Sequence, residues 1–209
     1  MNLKLLPVLA LLFLVPFSAV HTQNVVQLGP NYYSAGIPTR SFQFIAVNGK
    51  QRSMNWCWAA CIQMVLNYHG LLVTQEQVVV RCFGALVDHT GGPVEMLKAL
   101  SGWAYNVNGR ISTIYANVFP TNSNEVQAFL ATNNPLIVGL NQPGTPVGHA
   151  YVLTAMSYSL TKDFYGNIVV VPDKVVLRDP WPTNPSRQEM SWGEFARRLN
   201  ACYKVWIAS

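Results

Sequence analysis

Apolar residues crowd the N-terminal end of the chain and are patterned differently in each part that follows. Lys4 precedes an almost unbroken apolar run from Leu5 to Phe17, and small or polar residues, Ser18 to Thr22, come next. This basic, apolar, small-residue order is that of a cleaved secretory signal. The run falls short of the ~20 residues that span a bilayer, and Pro7 and Pro16 would break a membrane helix. Residues 1–22 are therefore expected to be removed on export, leaving a secreted or periplasmic protein with no stable membrane insertion. Residues 23–40 are low in charge and rich in turn residues (Gly29-Pro30, Gly36, Pro38), and read as an extended N-terminal arm. Residues 41–209 read as one folded domain.

Within that domain the period of the apolar positions changes along the chain. Ser41 to Val47 alternates, predicting a strand that Asn48-Gly49 turns. Cys57 to Tyr68 is hydrophobic nearly all round, predicting a helix buried on most sides and stopped at Gly70. Thr74 with Gln77 forms a capping box that opens a helix running to about Cys82. Pro93 suits a first helical turn, so Val94 to Leu100 predicts a third helix, ended by Gly102. Tyr105 to Val118 predicts one or two short strands, and Glu125 to Thr132 a fourth helix. Then Leu136–Leu140, Ala150–Tyr158, Ile168–Val171 and Val175–Leu177 read as an antiparallel sheet, separated by Gly, Pro, Asn and Asp. Ser191 with Glu194 caps a short helix, and Tyr203–Ile207 is a closing strand. Helices first and strands later make an α+β layout: a helical lobe, an antiparallel β lobe and a cleft between them.

Composition narrows the function classes. Of 209 residues, 50% are hydrophobic and 11% charged, which suits one packed domain and not a disordered chain. The net charge of +5 comes from scattered residues, with Arg197-Arg198 as the one basic doublet. Nucleic-acid binding needs clustered charge, so it is not expected. Export permits disulfides, and the cysteines are Cys57, Cys61, Cys82 and Cys202. If one of them is a nucleophile, at least one of the other three stays unpaired within the monomer. Cys82–Cys202 is then one candidate bridge and Cys61–Cys82 its competitor. Zinc-ligand spacing and a glycine-rich phosphate loop are both missing, so neither metal nor cofactor is expected.

The chemistry concentrates around Cys57. It stands where a loop ends and a buried helix begins. Free N–H groups and partial positive charge at a helix N-terminus favour a thiolate, and the same N–H groups can bind an oxyanion. Gln51, six positions upstream, can bring its side-chain amide to that oxyanion. A thiolate nucleophile needs a base and an orienter. His69 beside Gly70 reads as a helix-end charge, and His89 lies in a polar turn. His149, in Gly148-His149-Ala150, opens an apolar strand and has room for substrate beside it. Asp179 ends the strand Val175–Arg178 and reaches His149 if the two strands are neighbours. Asp163 and Asp173 compete for this role from turn-like contexts.

Gln51 … Cys57-Trp58 resembles the Gln-x5-Cys-Trp signature of papain-like cysteine peptidases, spacing included. Gly148-His149-Ala150 resembles their His-Ala strand start, and Asp179-Pro180-Trp181 their Asn-Ser-Trp segment with Asp in place of Asn. Trp56 to Cys61, Tyr68-His69-Gly70 and the downstream Asp-Pro-Trp are more similar to the compact bacterial branch. That branch includes the double-glycine-peptidase-like proteins and the papain-like effector proteases. The resemblance spans roughly Arg40 to the C-terminus. It implies a two-lobe papain-like fold and cleavage of peptide (amide) bonds, with Cys57 as nucleophile, His149 as base, Asp179 as orienter and Gln51 in the oxyanion hole. Implied partners are a peptide or protein substrate, with the enzyme a monomer. Rival readings are an amidase or transpeptidase, a secreted effector toxin, and an inactive binding module. The interval from His149 to Asp179 exceeds papain's, so Ser159–Asn167 reads as an insertion. With residues 23–40 alone ahead of the domain, no large inhibitory propeptide is expected.

Overall fold

The computed structural model describes residues 24–118, 122–144 and 148–208. The expected signal at residues 1–22 lies outside them. Among the described residues six helices and eight strands follow in the order β1 (Val25–Gly29), β2 (Tyr32–Gly36), α1 (Thr39–Asn48), α2 (Cys57–Tyr68), α3 (Gln75–Phe83), α4 (Pro93–Ala99), β3 (Thr113–Val118) and α5 (Ser123–Ala131). They continue with β4 (Leu136–Asn141), β5 (Gly148–Lys162), β6 (Ile168–Arg178), β7 (Gln188–Ser191), α6 (Trp192–Arg198) and β8 (Leu199–Ala208). This is the α+β, papain-like arrangement.

The strands make one antiparallel sheet centred on β5. Residues 148–153 of β5 pair with β4, and residues 155–159 pair with β2. The opposite edge pairs with β6 from Val152 to Lys162. Alternating side chains feed two cores, as the period of two in a strand requires. Ile137, Val152, Tyr203 and Val205 face α1–α4, while Val138, Leu153, Leu177 and Cys202 face α5 and α6. Helix α2 lies across the first face with Trp58 to Leu66 all buried. Burying side chains of the size of Ile62, Met64 and Leu66 contributes about 1.5–3 kcal/mol each, so the start of α2 is held rigidly.

The capping signals are where the sequence places them. Thr74 and Gln77 bond reciprocally at the start of α3, and Ser191 Oγ accepts from the Glu194 amide at α6. Glu194 itself pairs with Arg198 and does not complete the box. Pro93 takes the first turn of α4.

Three expectations are corrected. Residues 41–47 lie in helix α1, not in a strand. Phe42 and Ala46 are fully buried and Ile45 packs beside them, while Phe44 and Val47 face solvent at 79% and 52% exposure. The 3, 4 spacing of the buried positions wins because α1 packs on α2. The segment read as an extended arm does not lie apart from the domain: residues 25–36 form the hairpin β1–β2, which extends the sheet along β5. Gly36 makes this possible, since a Cβ there would lie 2.3 Å from the Thr154 carbonyl and φ is +136°. Finally, all four cysteines are free. Cys202 lies in the core across the sheet from Cys61 and Cys82, which rules out the Cys82–Cys202 bridge. Cys61–Cys82 is also unmade: Cys82 Sγ donates instead to the Glu95 carbonyl at 3.3 Å.

The segment Ser159–Asn167 is the tip of the long β5–β6 hairpin. Its turn is closed by Asp163, which accepts from the amides of Tyr165 and Asn167. Two runs read separately, Ile168–Val171 and Val175–Leu177, join into β6. Pro172 and Asp173 sit at a register shift opposite Ser157 and Tyr158.

Candidate active site

Three elements converge at one end of the β5–β6 pair. Helix α2 begins at Cys57, strand β5 begins at Gly148, and strand β6 ends at Arg178. Because Val152 pairs with Arg178, the chain leaving β6 runs back toward the start of β5. Asp179 therefore meets His149: Nε2 and Oδ1 are 2.9 Å apart. The other ring nitrogen is left for Cys57, whose thiol His149 makes more acidic. His149 is packed edge-on against Tyr151 at 4.7 Å and Trp181 at 6.2 Å, and its side chain is 11% exposed.

The electrostatics favour an ion pair. Burial pushes the Cys57 thiol up, but the hydrogen bond and charge of His149, with the amides of Ala150 and Trp58, bring it below the ordinary value. Trp58 is the second residue of α2, so its amide is among the free donors of the first turn. Burial also disfavours the His149 imidazolium. Its hydrogen bonds to Asp179 and Cys57, and their charges, outweigh this and raise His149 to about 9. Asp179 is fully buried, which pushes its carboxyl up. Hydrogen bonds from His149, the Trp181 amide and Asn184, and the charge of His149, hold it below the usual carboxylate range. Four donors surround that carboxylate. Oδ1 takes His149 and the Trp181 amide (2.8 Å), while Oδ2 takes the side chains of Asn184 and Gln188 (2.7 Å each).

The competing residues lie elsewhere. Asp163 closes its hairpin turn, and Asp173 accepts from the Tyr32 hydroxyl. His69 is no helix-end charge: burial lowers its pKa, and its Nε2 is buried without a partner among the described residues. Gln51 is 5% exposed and close in the chain, but its amide is engaged within its own loop. Nε2 donates to the carbonyls of Ser53 (2.9 Å) and Met54 (2.8 Å), and Oε1 has no described partner. Donating to an oxyanion requires Gln51 to release one of those carbonyls.

Two cavities, of about 490 and 500 Å³, share Cys57, Thr90, Gly148 and His149 as lining. The first, on the helical side, runs past Gly91, Met96, Ile137 and Ala150 and is mostly apolar. The second carries polar side chains from Gln142, Tyr151, Asn184 and Gln188 beside Trp181. The loop at 87–92 walls the first cavity and is bolted to the residues before and at the helix start. Asn55 bonds Asp88, Trp56 Nε1 donates to Val87, and Trp58 Nε1 donates to His89. Gly91 lies directly on the Trp58 indole, where a Cβ would approach to 2.3 Å. The polar turn around His89 is this wall, marked in the sequence by Gly91-Gly92 just ahead of Pro93, whereas Asn184 and Gln188 carry no local signal.

Among the described residues no group of three or more His, Cys, Asp or Glu is placed to hold a metal ion.

Comparison with known proteins bears on the fold and the family. No curated protein matches the chain. Among solved structures, the peptidase domain of Streptococcus ComA, a bi-functional ABC transporter involved in a quorum sensing pathway, has the same fold. The TM-score is 0.51 at 13% identity, over 76% of this chain and 95% of that one. Residues 41–208 match the Peptidase_C39 like family. The chain belongs to the Peptidase_C39 like family and is a cysteine-type peptidase.

Proposed function

We propose that Cys57, His149 and Asp179 form the catalytic triad of an exported peptidase, and that Cys57 attacks a peptide bond lying across the two cavities. The observation that carries this reading is the line Asp179–His149–Cys57, with a 2.9 Å first link, at the place where both cavities meet. His149 takes the Cys57 proton, giving the thiolate–imidazolium pair. The sulfur adds to the scissile carbonyl, and the oxyanion is bound by N–H groups at the start of α2, joined by Gln51 once it leaves Ser53 or Met54. His149 then protonates the departing amine as the C–N bond breaks, leaving a thioester on Cys57. His149 next takes a proton from water, whose oxygen attacks the thioester. Collapse releases the acid and the thiolate, and the proton taken from water stays on His149, restoring the ion pair. Asp179 stays ionised throughout, holding one tautomer and supporting the imidazolium.

The proposal includes export, supported by the pattern of Lys4, Leu5–Phe17 and Ser18–Thr22. The test is a peptide library incubated with the mature protein and with Cys57→Ala, with new N-termini read by mass spectrometry. New termini from the wild type alone are expected. Equal products from both proteins, or none from either, would reject the reading.

A further inference from the structure

Lys50 lies outside the Asp179–His149–Cys57 line, yet its ammonium is enclosed by the loop that carries Asp179. Nζ donates to the carbonyls of Asp179 (2.9 Å), Trp181 (2.9 Å) and Asn184 (2.8 Å). An ammonium has three N–H donors, so this cage uses all of them. The backbone of Lys50 is fixed as well. Its carbonyl accepts from Gln75 Nε2 at 2.9 Å, and Gln75 Oε1 accepts from the Arg52 amide at 3.0 Å. Gln75 is fully buried. The next residue, Gln51, donates its backbone N–H to the Pro180 carbonyl at 2.8 Å.

The loop from 179 to 184 has no regular strand or helix of its own. Its three carbonyls point at one centre, where without a cation they would repel one another. The same loop supplies two of the four donors on the Asp179 carboxylate, the Trp181 amide and the Asn184 side chain. Whatever fixes the loop thus fixes the carboxylate that holds His149.

We infer that Lys50 is a positioning residue: its ammonium clamps the Asp179–Asn184 loop to the loop that leads into α2, and so holds His149 in reach of Cys57. This inference rests on the triad reading above. Lys50 touches neither substrate nor the reacting atoms, and it acts through Asp179. Burial of the ammonium lowers its pKa, and the nearby Asp179 carboxylate opposes that shift. Besides Asp179, the Cys57–His149 pair meets Tyr151 and the buried Cys61, which substitutions at Lys50 leave in place.

The experiment follows alkylation of Cys57 by iodoacetamide from pH 5 to 10, by peptide mapping, in the full chain and in Lys50→Met, Lys50→Gln and Lys50→Arg. Circular dichroism confirms folding. Wild-type Cys57 is expected to ionise below the ~8.5 of a free thiol. In Lys50→Met the thiolate pKa rises by about one unit, so alkylation at pH 6 falls about tenfold. Lys50→Arg keeps charge and donors and recovers part of that loss. A folded Lys50→Met with the wild-type profile overturns the inference. Should Lys50→Met not fold, Lys50→Gln, which keeps two N–H donors without charge, decides: a shift in the same direction is expected, and a wild-type profile overturns it. Failure of the triad reading looks different, because wild-type Cys57 itself would then ionise near 8.5.

Discussion

Replacing Asp179 by Asn keeps the side-chain shape and removes one negative charge from beneath His149. In the wild type that carboxylate is fully buried and accepts four hydrogen bonds, one of them from His149. An Asn can still present its oxygen to His149 and the Trp181 amide. Its NH₂ group then faces the amide donors of Asn184 and Gln188, both of which must turn over to present oxygen. The larger consequence is electrostatic. An opposite charge at this range shifts a pKa by about 1–3 units, so removing it should cost the imidazolium about 1.4–4 kcal/mol. The sign is fixed by which state is active. The pair works as thiolate and imidazolium, so activity rises through the lowered Cys57 pKa and falls as His149 loses its proton, near 9. Without the Asp179 charge the His149 value drops, while the causes that lower Cys57, its contact with His149 and the amides of Ala150 and Trp58, do not include that charge. The pH–rate bell then narrows from its alkaline side. At pH 7.5 kcat/KM should fall about ten- to a thousandfold, and Asp179→Ala, which also loses the hydrogen bond, should fall further. The assay is kcat/KM from pH 5 to 10 on a cleaved library peptide, with circular dichroism as the folding control. An unchanged alkaline limb in a folded Asp179→Asn protein would refute the argument.

Other substitutions test the frame around the pair. Gly91→Ala puts a Cβ 2.3 Å from the buried Trp58 indole, so one side must move. A loss of about 1–3 kcal/mol in urea unfolding is expected, with weaker peptide cleavage because Trp58 follows Cys57; an unchanged midpoint would show that the loop yields freely. Arg178 is fully buried without a carboxylate partner among the described residues, its Nη1 bonded to Gln43 and its guanidinium over Phe42. Burial lowers it to about 10, so it remains charged at neutral pH. Arg178→Met should leave stability unchanged or higher, by up to about 4 kcal/mol, because a buried charge is removed together with its desolvation cost; a drop above about 3 kcal/mol would show a missing counter-charge. Thiol titration in denaturant without reductant should find four free cysteines, and any smaller number would contradict the free thiols seen across both cores.

The sequence made the chemistry legible wherever local signals carry it. Cys57 at a helix start, the Thr74 capping box and Pro93 all depend on neighbours within a few residues, and each stands as read. The pairing of His149 with Asp179 followed from two strands that could be neighbours, and β5 and β6 are neighbours. What stayed hidden depends on packing between distant segments. Residues 41–47 alternate in hydropathy, yet α2 offers them a helical face, so they coil into α1. Residues 23–40 show only turns and small residues, but the edge of β5 pairs with them. Asn184 and Gln188 look like ordinary loop polar residues until β7 and the Asp179 loop bring them to one carboxylate oxygen. Lys50 looks like a solvated charge until three carbonyls close around it. The free cysteines follow from the sheet between Cys82 and Cys202, which no count of cysteines shows.

The most direct test of the central claim is to catch the thioester. Wild-type protein mixed with a cleaved peptide, quenched in acid within milliseconds and weighed intact, should carry a mass equal to the peptide minus its departing amine fragment. Peptide mapping should place that mass on Cys57, hydroxylamine should remove it, and Cys57→Ala should never acquire it. An adduct on any other residue, or turnover of the peptide by Cys57→Ala, would contradict the assignment of Cys57 as the nucleophile.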